Sequence, residues 1–289
     1  MSATVATPAA VGGRRLRPGF LATRKGMVGF VVLAILVAVA VLASWIAPHP
    51  PDAIDGSRVL AGPTLAHPFG SDALGRDVFS RVIFAFRVSL AVAVGSTLLA
   101  FAIGTPLGLL AGYRGGWVDA AIMRPIDMLL ALPALLLAVA LIAILGPGSA
   151  IALLAIAVIY TPILARVARA STLVVSSQTY VEGARARGAS QWRILTRHVL
   201  PNAVGPVIVQ ATILMGFALQ IEAALSFLGL GAQPPTSSLG VMLADGRDVL
   251  SQAPWVEIFP GVAIAITVLA FNLFGDGLRR QLDPRGVTR

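Results

Sequence analysis

An all-α integral membrane protein with six transmembrane helices and both termini in the cytoplasm is what this sequence predicts, on three observations. Its 289 residues are 57% hydrophobic and only 12% charged, with a mean hydropathy of +0.85. That is about half the charge of an ordinary soluble domain, so much of the surface must face hydrocarbon. The apolar residues fall into long charge-free runs, and the basic residues collect between alternate runs. No independent polar domain carries the net charge of +9, which therefore points to membrane lipid head groups and not to nucleic acid. The chain has no cysteine, which excludes disulfides, thiolate nucleophiles and cysteine metal sites.

Residues 1–26 form a basic tail, and the first crossing occupies 27–47, Met27 to Ala47. Arg14 to Lys25 ahead of an apolar run and Ala43-Ser44-Trp45 has the outline of a cleaved signal peptide. The run is longer than a signal core and five more spans follow, so this helix is expected to remain as an anchor. The outer segment, 48–87, begins turn-rich as PHPPDAIDGSRVLAGPTLAHPFG. It ends in Ser71 to Arg87, where Leu74, Val78, Val82 and Ala85 make one stripe that reads as an interfacial helix leading into the second span.

A five-helix core, 88–277, follows, with apolar runs Val88 to Tyr113, Met128 to Ala165, His198 to Ile221 and Ile258 to Gly275. One crossing takes about 20 helical residues, and the second of these runs is nearly twice that. Gly146-Pro147-Gly148 divides it into a hairpin, because proline lacks an amide proton and glycine tolerates turn dihedrals. Gly229 to Glu257, with Pro234-Pro235 and Trp255, reads as a loop with a short re-entrant helix. Residues 278–289 close the chain as a second cytoplasmic tail. The positive-inside rule sets this orientation: with the N-terminus inside, only Arg58, Arg76, Arg81, Arg87 and Arg247 of the 22 basic residues lie outside.

The insert Tyr180 to Asn202, YVEGARARGASQWRILTRHVLPN, interrupts the apolar pattern between the fourth and fifth spans, and it overlaps the loop placed at residues 178–200. Tyr180 to Arg187 spans two helical turns, and Gly188 suits a left-handed cap. Ser190 caps a second short helix carrying Trp192, Ile194, Leu195 and Val199, before Pro201 opens the next span. Gly183, Ala184 and Ala186 are small enough to let another protein approach the backbone. Glu182 suits the positive end of the helix dipole, while Arg185 and Arg187 can pair with acidic groups on a partner. An amphipathic helix lying on anionic lipid accounts for the same composition, and spacing alone leaves both readings open.

Glu182-Gly183-Ala184 followed by Gly188 and then Leu200-Pro201 resembles the EAA loop of ABC importer permeases, although Gly183 replaces the usual alanine and His198 a frequent isoleucine. Phe69-Gly70-Ser71-Asp72 with Gly75-Arg76-Asp77 and Ser80-Arg81, Ala224 to Gly231 with Pro234-Pro235, and Asn272 to Leu278 with Leu282-Asp283-Pro284-Arg285 resemble the peptide/nickel class of these permeases, in particular the C-type subunit of dipeptide or oligopeptide importers. The resemblance runs from about residue 20 to 287. It implies a bacterial cytoplasmic-membrane permease that pairs with a homologous B-type subunit, two cytoplasmic ATPases and an extracytoplasmic substrate-binding protein. It also implies a coupling role for Tyr180, Glu182, Gly183, Ala184, Arg187, Gly188, Leu200 and Pro201. Dipeptides are the favoured cargo, with nickel or another small solute of the same class as the alternative.

The chain itself is expected to be non-catalytic and to bind no cofactor, ATP and Mg²⁺ being used by the partner ATPases. A P-loop needs a lysine after glycine, and the single lysine, Lys25, stands in Thr23-Arg24-Lys25-Gly26. An ion-coupled carrier is less favoured, because no mid-span charge pair is present. Glu222, near the outer end of the fifth helix, reads either as a gate or subunit contact or as a snorkelling interfacial acid. Arg124 and Asp127 are spaced to pair along one helix, and Gly104 with Gly108 to let helices approach. Pro106, Pro133, Pro162 and Pro206 are candidates to bend spans. His49, His67 and His198 are far apart in sequence, so no metal-ligand spacing is visible and no metal is expected.

Overall fold

The computed structural model describes residues 24–282, which are helical or irregular apart from an isolated β-bridge between Ser71 and Asp77. Most of both expected tails, including Arg14, Arg15, Arg17, Arg285 and Arg289, lies outside the described residues. Helix α1 (Arg24–Val41) is followed by the single turn α2 (Ala43–Ile46), and an irregular segment then leads to α3 (Val78–Arg114). Next come α4 (Gly116–Leu130), α5 (Ala134–Leu145) and α6 (Ser149–Ser176). Two short helices, α7 (Thr179–Ala186) and α8 (Gln191–Ile194), run through a π-helical turn, Leu195–Val199, into α9 (Leu200–Phe227). Helices α10 (Leu239–Arg247) and α11 (Trp255–Leu282) complete the order.

Among the described residues, five helical stretches are long and apolar enough to cross a membrane, or six if α4 and α5 count as one broken span. The Gly146-Pro147-Gly148 hairpin forms as expected between α5 and α6. The span before it does not run straight. Helices α4 and α5 meet at 93°, with Pro133 at the start of α5, and the 12 residues of α5 are too few for a crossing by themselves. Proline has no amide to continue the helical ladder and crowds the preceding turn, which accounts for the break there. Pro106, Pro162 and Pro206 instead sit inside α3, α6 and α9 without ending them.

The expected interfacial helix over Ser71 to Arg87 is also revised. Ser71 to Asp77 is a tight turn, and α3 starts at Val78, with the Asp77 carboxylate accepting from the Ser80 amide at 2.8 Å as its N-cap. Val78, Val82 and Ala85 face the protein interior among Leu239, Met242 and Val256, and Leu74 is left outside the stripe, half exposed. The stripe therefore belongs to the core and not to a lipid surface, which makes this segment the first turns of the second span.

Helices α3 and α6 form the central pair. A Cβ at Gly104 would lie 2.6 Å from the Thr161 carbonyl oxygen, and one at Gly108 would be closer still to that of Ala165, so these glycines let two backbones touch. Around the pair, Ile142, Ile156, Leu164 and Leu219 are fully buried between α5, α6 and α9. In lipid the gain from such burial is mainly close packing, because the surrounding chains are as apolar as leucine. Helix α1 sits at the rim against α11, with Gly29 against the backbone of Phe274. Arg87 of α3 satisfies its C-terminal carbonyls, donating to Ala40 O at 2.6 Å and Val41 O at 2.9 Å.

Candidate functional site

The insert folds as the helix–bend–helix unit that its residues predict. Helix α7 ends with Gly188 at φ +77°, where the Gly188 amide donates to Arg185 O at 2.9 Å and the Ala189 amide to Ala184 O at 3.2 Å. This pair of bonds is a Schellman closure, and a left-handed residue is what it requires. Ser190 then caps α8 by accepting from the Arg193 amide. A π turn follows, with Thr196 Oγ1 donating to Trp192 O and Asn202 Nδ2 to His198 O. Because a π turn carries one extra residue per turn, it rotates what precedes it relative to α9.

One face of the unit holds it to the body of the chain. Val181, Ala184, Ile194, Val199 and Ala203 are buried together against Leu109 of α3. The reading of Ala184 as part of a surface open to a partner is thereby corrected, since it is 2% exposed and serves as an anchor. Leu200 is partly buried in the same cluster, while Pro201 is exposed at the start of α9. The opposite face presents Tyr180, Glu182, Arg185, Ala186, Arg187 and Gly188, with Trp192, Arg193 and Arg197 beside them. Gly183 lies between the two faces, and a Cβ there would meet only the Arg187 side chain, at 3.7 Å. Arg185 stacks over the Tyr113 ring at 5.7 Å, which steadies its guanidinium.

Glu222 is 1% exposed, inside the chain's own packing between α3, α9 and the start of α10. Neither a snorkelling acid nor a surface subunit contact fits that position. Ser226 Oγ donates to Glu222 Oε1 at 2.7 Å, and Oε2 has no hydrogen-bond partner among the described residues. Two further serines, Ser89 and Ser238, flank it, and Ser89 also accepts from the Leu239 amide at 3.2 Å. A buried carboxylate lined by serine hydroxyls where three helices meet is a polar site in an otherwise apolar layer.

Two further polar groupings escape a linear reading. Asp127 pairs with Arg166 of α6 at 2.7 Å and not with Arg124, and Asp119 grips Arg169 with two bonds of 2.5 and 2.6 Å. These pairs lace α4 to α6 and replace the expected contact along one helix. In the segment before α3, Asp72 accepts from Arg81 at 2.6 Å and from Arg76 at 2.7 Å, and both arginines reach Asp245 of α10. Asp72 and Arg81 are almost wholly buried, which makes this the deepest ionic cluster among the described residues. The Asp72 and Arg76-to-Arg81 positions were visible as motif residues, but Asp245 gave no signal of partnership. The histidine reading also changes, because the fold brings His49 and His67 beside Asp77 despite their sequence separation.

Comparisons with known proteins agree with this architecture. Residues 104–286 match the family model of the binding-protein-dependent transport system inner membrane component, and residues 19–63 match that of the N-terminal TM domain of oligopeptide transport permease C. The chain is similar to the glutathione transport system permease protein GsiD of Pectobacterium atrosepticum, 46% identical over 267 residues, covering 92% of this chain and 89% of that protein. It is 48% identical over 273 residues to GsiD of an Escherichia coli strain, covering 94% and 89%. To the dipeptide transport system permease protein DppC of Alkalihalophilus pseudofirmus it is 42% identical over 262 residues, covering 91% and 86%. In fold it is like a chain of the MetNI methionine ABC transporter solved in inward-facing conformations, with a TM-score of 0.59 and 22% identity over 70% of this chain and 96% of that one. The chain therefore belongs to the binding-protein-dependent transport system inner membrane components, multi-pass permeases of bacterial ABC importers, and within them to those that carry the N-terminal domain of oligopeptide transport permease C.

Proposed function

We propose that this chain is the permease subunit of an ATP-driven importer of short peptides, forming half of the translocation pore and coupling it to cytoplasmic ATPases. Both termini and the α7–α8 unit lie in the cytoplasm on this reading, where the excess of basic residues is favourable. The other half of the pore is a homologous B-type permease, and an extracytoplasmic binding protein delivers the cargo. Two ABC ATPases use ATP and Mg²⁺, so this chain binds no cofactor.

The observation that carries the reading is the two-faced α7. Val181 and Ala184 bury its inner side in the apolar cluster shared with α8, the start of α9 and Leu109 of α3, while Tyr180, Glu182, Arg187 and Gly188 are exposed at the positions that resemble the EAA loop. A helix fixed on one side and charged on the other transmits a push from a docked partner into α3 and α9 without deforming. Leu200 and Pro201 continue that path into α9 through the π turn. Gly183 contributes by keeping the boundary between the two faces low.

Relatives named for glutathione and for dipeptides support a short peptide as cargo, with dipeptide the first choice and nickel the alternative. The test is co-purification with the neighbouring subunits, followed by uptake of labelled dipeptide, glutathione, a longer peptide and nickel into vesicles with the cognate binding protein. Glu182→Arg is expected to leave membrane insertion unchanged while uptake falls at least tenfold and ATP hydrolysis no longer responds to loaded binding protein. Full uptake in that variant overturns the coupling role of α7. Uptake that persists without ATP but collapses with the proton gradient overturns the importer reading and favours an ion-coupled carrier.

A further inference from the structure

We infer that His49, His67 and Asp77 form a divalent transition-metal site, of the kind zinc occupies, at the base of the segment that joins α2 to α3. The ligand atoms of the three residues all lie within 4.8 Å of one another. His67 Nδ1 is 2.9 Å from Asp77 Oδ1, and His49 Nδ1 is 3.9 Å from Asp77 Oδ2. Ligands held ~2.0 Å from a tetrahedral zinc stand ~3.3 Å apart, so the observed separations bracket what an ion needs. Both Nδ1 atoms lie at the same carboxylate, and because the two imidazole rings stack at 4.4 Å with 21° between their planes, one ring turns about its Cβ–Cγ bond to aim its nitrogen at an ion shared with the other.

Two features mark the cluster as more than a hydrogen-bonded pair. His49 Nδ1 is shielded from solvent and has no hydrogen-bond partner, although its ring is held over His67. A shielded, unpartnered imidazole nitrogen aimed at a carboxylate lacks a ligand that a cation supplies. The backbone is also fixed around the site: the His49 amide donates to Ser80 Oγ at 3.2 Å, and the His67 amide to Thr64 Oγ1 at 3.1 Å. Asp77 Oδ2 accepts from the Ser80 amide and keeps α3 capped while Oδ1 serves the metal.

The donor set decides the class of ion. Two imidazoles and one carboxylate suit zinc, nickel or cobalt and are poor for calcium or magnesium, which take oxygen ligands. A metal on Nδ1 requires any His67 ring proton to sit on Nε2, and the hydrogen bond between His67 and Asp77 is replaced by metal bonds to both. Three protein ligands leave the fourth position to water. The ion would tie the end of α2, the loop carrying His67 and the first turn of α3 into one body.

The test uses the purified full-length chain in detergent, prepared with a tag other than polyhistidine, and measures Zn²⁺ uptake by competition with a chromophoric chelator. One Zn²⁺ per chain is expected, with X-ray absorption showing nitrogen and oxygen but no sulfur in the first shell. His49→Ala is expected to weaken binding at least tenfold. That variant keeps the His67–Asp77 bond, so its loss of metal is not a loss of fold, which the thermal melting curve without metal checks. His198→Ala is expected to bind as the native chain does. Absence of saturable stoichiometric binding of Zn²⁺, Ni²⁺ or Co²⁺ by the native chain overturns the inference, as does unchanged affinity in His49→Ala. Binding is read without transport, so its failure leaves the import reading untouched.

Discussion

Two glycines of the α7–α8 unit separate conformational from steric demands. Gly188 has φ +77° and open space where a Cβ would go, so a side chain there is opposed by backbone geometry alone. Gly188→Ala should lower stability by about 1–2 kcal/mol, the typical cost of a left-handed alanine. Gly183 has ordinary helical dihedrals and no close neighbour except the Arg187 side chain, so Gly183→Ala should be neutral or stabilising by up to ~1 kcal/mol. Thermal unfolding of the two variants in one detergent checks the pair; equal effects would show that the left-handed turn is not what Gly188 supplies. The cap was legible because glycine after two helical turns has few other uses. The burial of Ala184 was not legible, since a small residue looks the same whether it faces a partner or the chain's own core.

At the level of elements, α7 is a short helix whose place depends on one apolar seam. Eight residues are too few to hold a helix in isolation, so its contact with Leu109, Ile194 and Val199 must do so. Ala184→Glu forces a carboxylate into that seam and should release α7 from the cluster it shares with α8 and Leu109, whereas Ala186→Glu places the same charge on the exposed face and should be silent. Proteolysis of the loop after Ser176 reads the difference: faster cleavage in Ala184→Glu alone is expected, and equal cleavage in both would refute the seam. The broken α4–α5 span and the early start of α3 belong to the same scale. Hydropathy finds apolar length, but a proline-induced 93° bend leaves composition unchanged, and a stripe reads alike against lipid or against α10 and α11.

Across the whole molecule, the segment before α3 is bound to α10 by charges that are remote in sequence. Arg81 is buried, and Asp72 neutralises it while also accepting from the amides of Leu74 and Arg76 at 2.9 Å. Asp245 and Ser237 still reach Arg81 when Asp72 is removed, so Asp72→Ala should be destabilising but by less than the about 3–5 kcal/mol of a wholly unpaired buried charge. Hydrogen exchange is expected to quicken over the segment before α3 and over α10 together. Exchange that changes in only one of them would show that the cluster does not join the two.

The membrane class, the apolar spans, the hairpin at Gly146-Pro147-Gly148 and the bend at Gly188 follow from the order of residues alone, because hydropathy, helical period and glycine or proline dihedrals act over neighbouring residues. Helix packing sets which face each stripe turns to, encloses Glu222, pairs Asp127 with Arg166 and brings His49, His67 and Asp77 together. Those outcomes depend on which helices pack against which, and an apolar environment rewards close approach between any small-faced pair. Local chemistry does not specify the pair, so charge and imidazole partners fall wherever the packing carries them.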